Sequence, residues 1–157
     1  MNKKVIMLAQ REAENTTKER SFHFDLKEGH MANAKSLFSE GEYFWAFINF
    51  SCALKELDEI PYEEIGNEAD FIREKITINT KIAECHRLSN EYEEALDIIQ
   101  DTMKLIFTLD GKCILEDEYN KLTELFVEVF DEANAEHFYI TDEDHCNLAT
   151  EIKNNRK

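Results

Sequence analysis

The chain has little proline, little glycine and no long run of apolar residues. One proline and four glycines among 157 residues are too few for the many turns of a β-sandwich, and they suit long helices with short connections. No apolar run reaches the roughly 20 residues of a membrane-spanning helix. The apolar stretch at residues 5–9 is too short for the core of a signal peptide. We therefore expect a cytoplasmic protein that does not bind membranes.

Cysteines are also few and widely spaced. The chain has four, Cys52, Cys85, Cys113 and Cys146, and none forms a C-x-x-C pair. This spacing in a chain of this size does not match the disulfide framework of a small secreted domain. We expect free thiols, some of them filling the core, rather than a metal or redox centre.

Positive charge is scarce over most of the chain. The net charge is −16, and residues 36–152 carry 29 Asp or Glu against eight Lys or Arg. Such a surface repels nucleic acid and anionic membranes and favours basic partners. A simpler interpretation is an acidic face that only keeps the protein in solution.

What the sequence does contain is helical periodicity. Apolar residues recur every three or four positions, which predicts an all-α fold of about six helices. The predicted segments are 27–39, 43–59, 69–88, 92–109, 115–135 and a last helix from about Thr141. Gly41 and Asn90 are expected to adopt left-handed turns between helices. The hydroxyl of Thr141 is expected to cap the last helix, with Asp144 as its partner.

The predicted helix at 43–59 is apolar on nearly every side, as is typical of a helix buried between layers. The apolar residues at 22, 24 and 26 alternate with polar ones, which favours an extended segment. We expect residues 1–26 to form an N-terminal arm or short helix that packs on a helical domain of residues 27–157. Through Phe22 and Phe24, or through residues 5–8, this arm would cover Phe44 and Trp45. A dimer partner is the alternative cover.

Two parts of the chain are similar to each other at an offset of 49 residues. When Gly41 is aligned on Asn90, small and large residues fall on similar residues in two helical hairpins. The matched pairs are Ala34 and Ala83, Tyr43 and Tyr92, Ala46 and Ala95, and Phe50 and Ile99.

At these residues the chain resembles the tetratricopeptide repeat (TPR) family. The first copy has every small and large residue of the family pattern: Ala34, Leu37, Gly41, Tyr43, Ala46, Phe50 and Ala53. The second copy has Asn90 in place of the glycine and Thr102 in place of the last alanine. A degenerate third copy would put Phe138 in the tyrosine position. The resemblance covers residues 28–58 and 76–107 best, and implies a right-handed array of stacked antiparallel hairpins.

In this family the first helix of each hairpin lines a groove that holds a peptide or helix of a partner. Carried over by position, the resemblance implies a groove lined by Met31, Lys35, Phe38, Thr80, Lys81, Glu84, Arg87 and Leu88. Met31 stands where members that clamp a C-terminal carboxylate have lysine, so this chain departs from that group. Lys35, Lys81 and Arg87 would converge and select an acidic segment. The alternative is that these charges only form local pairs within their helices.

We therefore expect a non-catalytic adaptor or regulator that binds another protein, not nucleic acid or membrane, as a monomer or homodimer. A second hypothesis makes the acidic surface the active feature. It would imitate nucleic acid and block a basic site on a nucleic-acid-binding protein, as inhibitors encoded by some phages or viruses do. That surface would comprise Glu91, Glu93, Glu94, Asp142, Glu143 and Asp144.

Catalytic or metal chemistry has weak support in the sequence. There is no glycine-rich phosphate loop, G-x-S-x-G or H-E-x-x-H motif. Adjacent helical residues point about 100° apart, so Glu84-Cys85-His86 cannot all bind one ion. Asp142 could share an ion with His145 or Cys146. We expect no enzyme, no catalytic residues, no metal and no cofactor, and we expect His86 to be packed in the core.

Overall fold

The computed structural model describes residues 22–107 and 115–156. Within these ranges the chain forms seven helices and no β-strand, which confirms the all-α prediction. The helices are α1 (22–39), α2 (Tyr43–Asp58), α3 (Tyr62–Ile65), α4 (Glu68–Leu88), α5 (Tyr92–Phe107), α6 (Glu116–Ala135) and α7 (Glu143–Asn155). None of the described helices combines the length and apolar character that crossing a bilayer requires. The predicted helix break at Asp110–Gly111, and Cys113, lie outside the described residues.

Three helix pairs are joined by the same kind of backbone turn. The central residues have positive φ: 81° at Gly41, 61° at Asn90 and 66° at His137. In each turn the next amide donates to the carbonyl five residues earlier, at 2.8–2.9 Å, as in a Schellman motif. The left-handed turn predicted at Asn90 is confirmed. These turns produce three antiparallel hairpins: α1/α2, α4/α5 and α6/α7.

The third hairpin departs from the other two after its turn. Helices α2 and α5 begin two residues after the turn residue, but α7 begins six residues after His137. Phe138, which was expected in the tyrosine position, therefore precedes the helix. Its ring is half exposed and its centroid lies 5.4 Å from that of Tyr92. The turn is repeated a third time, whereas the pattern of the second helix is not.

Some positions related by the 49-residue offset have the same burial. Ala46 and Ala95 are fully buried, as are Phe50 and its equivalent Ile99. Thr102, which replaces the last alanine, is buried as well. Its hydroxyl donates to the carbonyl of Ile98 at 2.6 Å, so the extra polar atom is satisfied within its own helix.

Helix α4 is the layer between two hydrophobic cores. One face, with Ile78, Ile82 and Cys85, packs against α1 and α2. Ile72, Ile76 and Ala83 pack against the later helices. A helix between layers needs two apolar faces. Among the described residues α2 does not occupy such a layer, because it belongs to the first hairpin and buries mainly one face.

The outer face of α2 is left exposed by the described residues. Phe44 and Trp45 are 61% and 56% exposed. Phe22 and Phe24 do not cover them, because residues 22–26 belong to α1 and both rings are themselves exposed. Residue 23 lies at the far end of α2, where its Nδ1 is 2.6 Å from Glu56 Oε2. The expected extended segment is thus helical and lies at the wrong end; residues 5–8 lie outside the described residues.

The cap of the last helix differs from the predicted one, and α4 begins at a cap that was not predicted. Asp142, not Thr141, caps α7: its Oδ1 accepts a hydrogen bond from the amide of His145 at 3.0 Å. Asp142 has the extended backbone that an N-cap needs, and its carboxylate reaches the third amide of the helix. At α4, Asn67 and Asp70 form a reciprocal capping box.

Candidate functional site

The first helices of the three hairpins, α1, α4 and α6, line a common face. A cleft of about 200 Å³ lies between α1 and α4, and a second of about 300 Å³ lies between α4 and α6. Thr77 on α4 lines both, so the clefts adjoin. We refer to them together as the α1–α4–α6 groove, which is lined by Lys27, Glu28, Met31, Lys35, Glu74, Ile76, Thr77, Ile78, Thr80, Lys81, Glu118, Lys121, Leu122 and Leu125.

Several charges in the groove are neutralised by partners. The Lys27 ammonium is buried and lies 3.1 and 3.2 Å from the two carboxylate oxygens of Glu74. Lys81 Nζ lies 3.6 Å from Glu84 and 5.3 Å from the ring centroid of Phe38. Glu28 Oε1 also lies 3.0 Å from the Lys27 ammonium, so this buried charge is held between two carboxylates and is not available to a partner.

The carboxylate of Glu118 is also neutralised. It accepts a hydrogen bond from Arg73 Nε at 3.0 Å. Burial alone raises the pKa of Glu118, but its hydrogen bonds and the Arg73 charge outweigh burial and lower the pKa below its ordinary value. The hydrogen bond to Glu118 likewise raises the pKa of Arg73. This edge of the groove therefore carries a matched ion pair.

Two lysines in the groove differ from the others. Lys35 on α1 and Lys121 on α6 are exposed. Neither has a carboxylate within 4.0 Å among the described residues. Their helices flank α4, whose Ile76, Thr77 and Thr80 form the floor. The groove thus presents two exposed ammonium groups with no carboxylate within 4.0 Å among the described residues, in a molecule whose net charge is −16.

The structure places four of the eight predicted groove residues in the clefts and a fifth beside them. Met31, Lys35, Thr80 and Lys81 line the clefts, and Phe38 joins them through its contact with Lys81. Arg87 does not act as a third free cation. Its Nε and Nη2 donate to the Glu132 carboxylate at 2.8 and 3.0 Å. Glu84 pairs with Lys81, and Leu88 is exposed at the end of α4 beyond both clefts.

The sequence pattern missed the residues that α6 contributes, chiefly Lys121 and Leu125, and the earlier turns of α4, including Glu74 and Thr77. Only the recognition that α6 is the first helix of a third hairpin could have indicated them. His86 packs as expected: its ring centroid lies 4.7 Å from that of Phe47, and its Nδ1 lies 3.1 Å from Glu91.

The six residues of the predicted acidic surface fall into two groups. Glu94, Glu143 and Asp144 are exposed and have no ion-pair partner within 4.0 Å among the described residues. Glu91 contacts His86, while Glu93 and Asp142 lie beside the buried His145. Only Glu94, Glu143 and Asp144 therefore form an exposed acidic surface without ion-pair partners among the described residues.

The His145 group lies between α5 and α7, away from the groove. The imidazole is 1% exposed, and its Nε2 lies 2.8 Å from Asp97 Oδ1. Its Nδ1 lies 3.8 Å from Glu93 Oε1 and 3.8 Å from Asp142 Oδ1. The sequence had paired Asp142 with His145 or Cys146. The Sγ of Cys146 instead lies 3.5 Å from the carbonyl of Ile140. Glu93, not Cys146, is the third residue beside Asp142 and His145.

Compared with protein-family models, curated proteins and solved structures, the chain matches none significantly.

Proposed function

We propose that this chain is a non-catalytic adaptor or regulator that binds a segment of another protein along the α1–α4–α6 groove. The observation that carries the proposal is the placement of Lys35 and Lys121, both exposed and unpaired within the described residues, on the two helices that flank α4. The TPR resemblance of the first two hairpins supports the same use of this face.

The chemistry of the groove favours an acidic segment with some apolar side chains. Two ammonium groups form charge-assisted hydrogen bonds with carboxylates, which are about twice as strong as bonds between neutral groups. Met31, Ile76 and Leu125 provide apolar contact area between the lysines. Because the rest of the molecule is strongly acidic, an acidic segment is repelled elsewhere, so it is selected for this face.

Reversal of the groove charge tests the proposal. The variant Lys35→Glu/Lys121→Glu changes the net charge by −4, and Lys55→Glu/Lys104→Glu makes the same change on α2 and α5, outside the groove. Each protein is used to capture partners from cells that express the chain naturally, with quantitative mass spectrometry. A partner captured by the wild type and the control, and reduced at least about tenfold with the groove variant, supports the proposal. Equal capture by both variants contradicts it.

The same experiment separates the acidic-inhibitor hypothesis. Neutralisation of Glu94, Glu143 and Asp144 removes exposed charge without touching the groove. Loss of capture from this variant alone, with binding that weakens steeply as salt is raised, would assign function to the acidic surface. Unchanged capture leaves the groove as the binding face.

A further inference from the structure

On the buried side of His145, a ring nitrogen and a carboxylate oxygen face each other as two hydrogen-bond acceptors. The short contact to Asp97 fixes the proton on Nε2, which donates to Oδ1 at 2.8 Å. The imidazole Nδ1 is then an acceptor that faces Glu93 Oε1 across 3.8 Å. Both atoms are buried and neither has a hydrogen-bond partner among the described residues. Two buried acceptors left unsatisfied would each cost about 1–3 kcal/mol.

No side chain of the described residues donates a hydrogen bond to either of these two buried acceptors. No lysine or arginine lies within 4.0 Å of Glu93, Asp97 or Asp142 among the described residues. The sequence has no Lys or Arg at all between residues 122 and 152. A metal cation between Nδ1 and the carboxylate oxygens would accept lone pairs from both acceptors.

We propose that Glu93, Asp142 and His145 bind a divalent first-row transition metal, with Zn²⁺ as the reference ion. One nitrogen and two carboxylate ligand atoms lie within 4.8 Å of one another. Around a tetrahedral Zn²⁺, with bonds of about 2.0–2.2 Å, neighbouring ligand atoms lie about 3.4 Å apart. A small inward rotation of the Glu93 and Asp142 side chains, both about half exposed, closes the difference.

The surroundings of the histidine match those of a metal ligand. Asp97 orients the ring from the opposite nitrogen, as in a carboxylate–histidine–metal arrangement. The ring of Phe126 packs against it with a centroid distance of 5.9 Å. The imidazole donor favours Zn²⁺, Co²⁺ or Ni²⁺ over Ca²⁺ and Mg²⁺, which prefer oxygen ligands. Three protein ligands leave a fourth position for water on the exposed side.

The site lies on α5 and α7, whereas the groove is formed by α1, α4 and α6, so the two proposals are independent. A bound ion would join the second helices of the last two hairpins. Because the ion binds the folded chain, it would also raise the melting temperature, with the logarithm of its concentration once that exceeds the dissociation constant.

Titration of the full-length, tag-free, chelator-treated chain with ZnCl₂ tests the proposal, and Co²⁺ absorption reports the ligand set. We expect one site per chain, a higher melting temperature with Zn²⁺, and no comparable effect of Ca²⁺ or Mg²⁺. Glu93→Gln and Asp142→Asn should weaken Zn²⁺ binding at least about 10–100-fold, the loss typical even of outer-sphere partners. Asp142→Asn keeps a good N-cap residue, so α7 is retained.

Matched controls lie beside each ligand. Glu94→Gln and Asp144→Asn remove the same charge from exposed neighbours and should leave the affinity within about twofold. Asp97→Asn keeps an oxygen acceptor without the charge, and should weaken binding and shift the Co²⁺ absorption band. Absence of Zn²⁺ and Co²⁺ binding in the wild type overturns the proposal. Equal binding by the ligand variants and the wild type, or equal losses in the control variants, also overturns it, because the ion would then be bound by unspecific surface charge.

Discussion

Arg87 on α4 and Glu132 on α6 form a two-pronged ion pair, with N–O distances of 2.8 and 3.0 Å. The pair joins the second hairpin to the third. The hydrogen bond to Glu132 raises the pKa of Arg87 above its already high ordinary value, so the guanidinium stays charged. It also removes Arg87 from the set of free cations that the sequence had suggested for the groove.

Breaking this pair should destabilise the contact between hairpins. We expect Glu132→Gln to lower the free energy of unfolding by about 1 kcal/mol, or about 2–4 °C in melting temperature, because both partners are only partly buried. Glu136→Gln, one turn further along and exposed, should have no measurable effect. Thermal melts at low and high salt provide the measurement, and the difference should shrink at 1 M salt. Equal melting temperatures for both variants would contradict a stabilising pair.

Two aromatic residues on α2 should differ sharply in their contribution to stability. Phe50 is fully buried in the first core, so Phe50→Ala should cost about 3–5 kcal/mol. Trp45 is 56% exposed, so Trp45→Ala should change stability by about 0.5 kcal/mol or less. Urea unfolding of both variants measures the difference. A large cost at Trp45 would show that the outer face of α2 is covered by another part of the chain or by a second copy.

Loss of glycine at one hairpin turn and gain of glycine at another should change stability in opposite directions. Gly41→Ala should cost about 1 kcal/mol from backbone strain alone, since an added Cβ would meet no atom within 4 Å. His137→Gly should stabilise by about 0.5–1 kcal/mol, because His137 has a φ of 66° in an exposed turn. Chemical denaturation measures both changes. Destabilisation by His137→Gly would mean that its side-chain contact with Tyr139 outweighs the strain.

Much of the fold could be predicted from local patterns. Helix periodicity and the turn residues Gly41 and Asn90 gave the first two hairpins, because they depend on residues close together in the chain. Composition predicted α2 between two layers, whereas the described residues pack on mainly one of its faces. Whether Phe44 and Trp45 face a layer depends on which hairpin ends the array, and that is a property of the whole fold rather than of one helix.

The groove was less predictable than the fold, for a physical reason. Lys35 and Lys81 could be assigned because the repeat pattern covers α1 and α4. Lys121 could not, since α6 lacks the pattern. Pairing of Arg87 with Glu132 and of Glu93 with His145 joins residues 45 or more positions apart. No local spacing encodes such contacts; they require the order in which the hairpins stack.

The thiol of Cys85 should make stability depend on alkaline pH. Burial raises the pKa of Cys85 from 9.0 to about 11 in the folded state. The neutral thiol therefore makes its full contribution to the free energy of unfolding below pH 9. That contribution is lost as the pH rises toward 11, because the thiol ionises at lower pH in the unfolded chain than in the folded one. Urea unfolding of the wild type and Cys85→Ala at intervals from pH 8 to 11 should show the stability difference falling in that window. A constant difference would contradict the raised pKa.

Occupation of the α1–α4–α6 groove by another protein can be measured directly by photocrosslinking from Thr77. This residue is exposed and lines both clefts. A photoreactive amino acid at position 77 is compared with one at Asp101, which is exposed on α5 away from the groove. In cells that express the chain naturally, we expect a discrete protein adduct from position 77 only, and its loss when Lys35→Glu and Lys121→Glu are added. No adduct from position 77, or one that persists after both charges are reversed, would contradict binding in the groove.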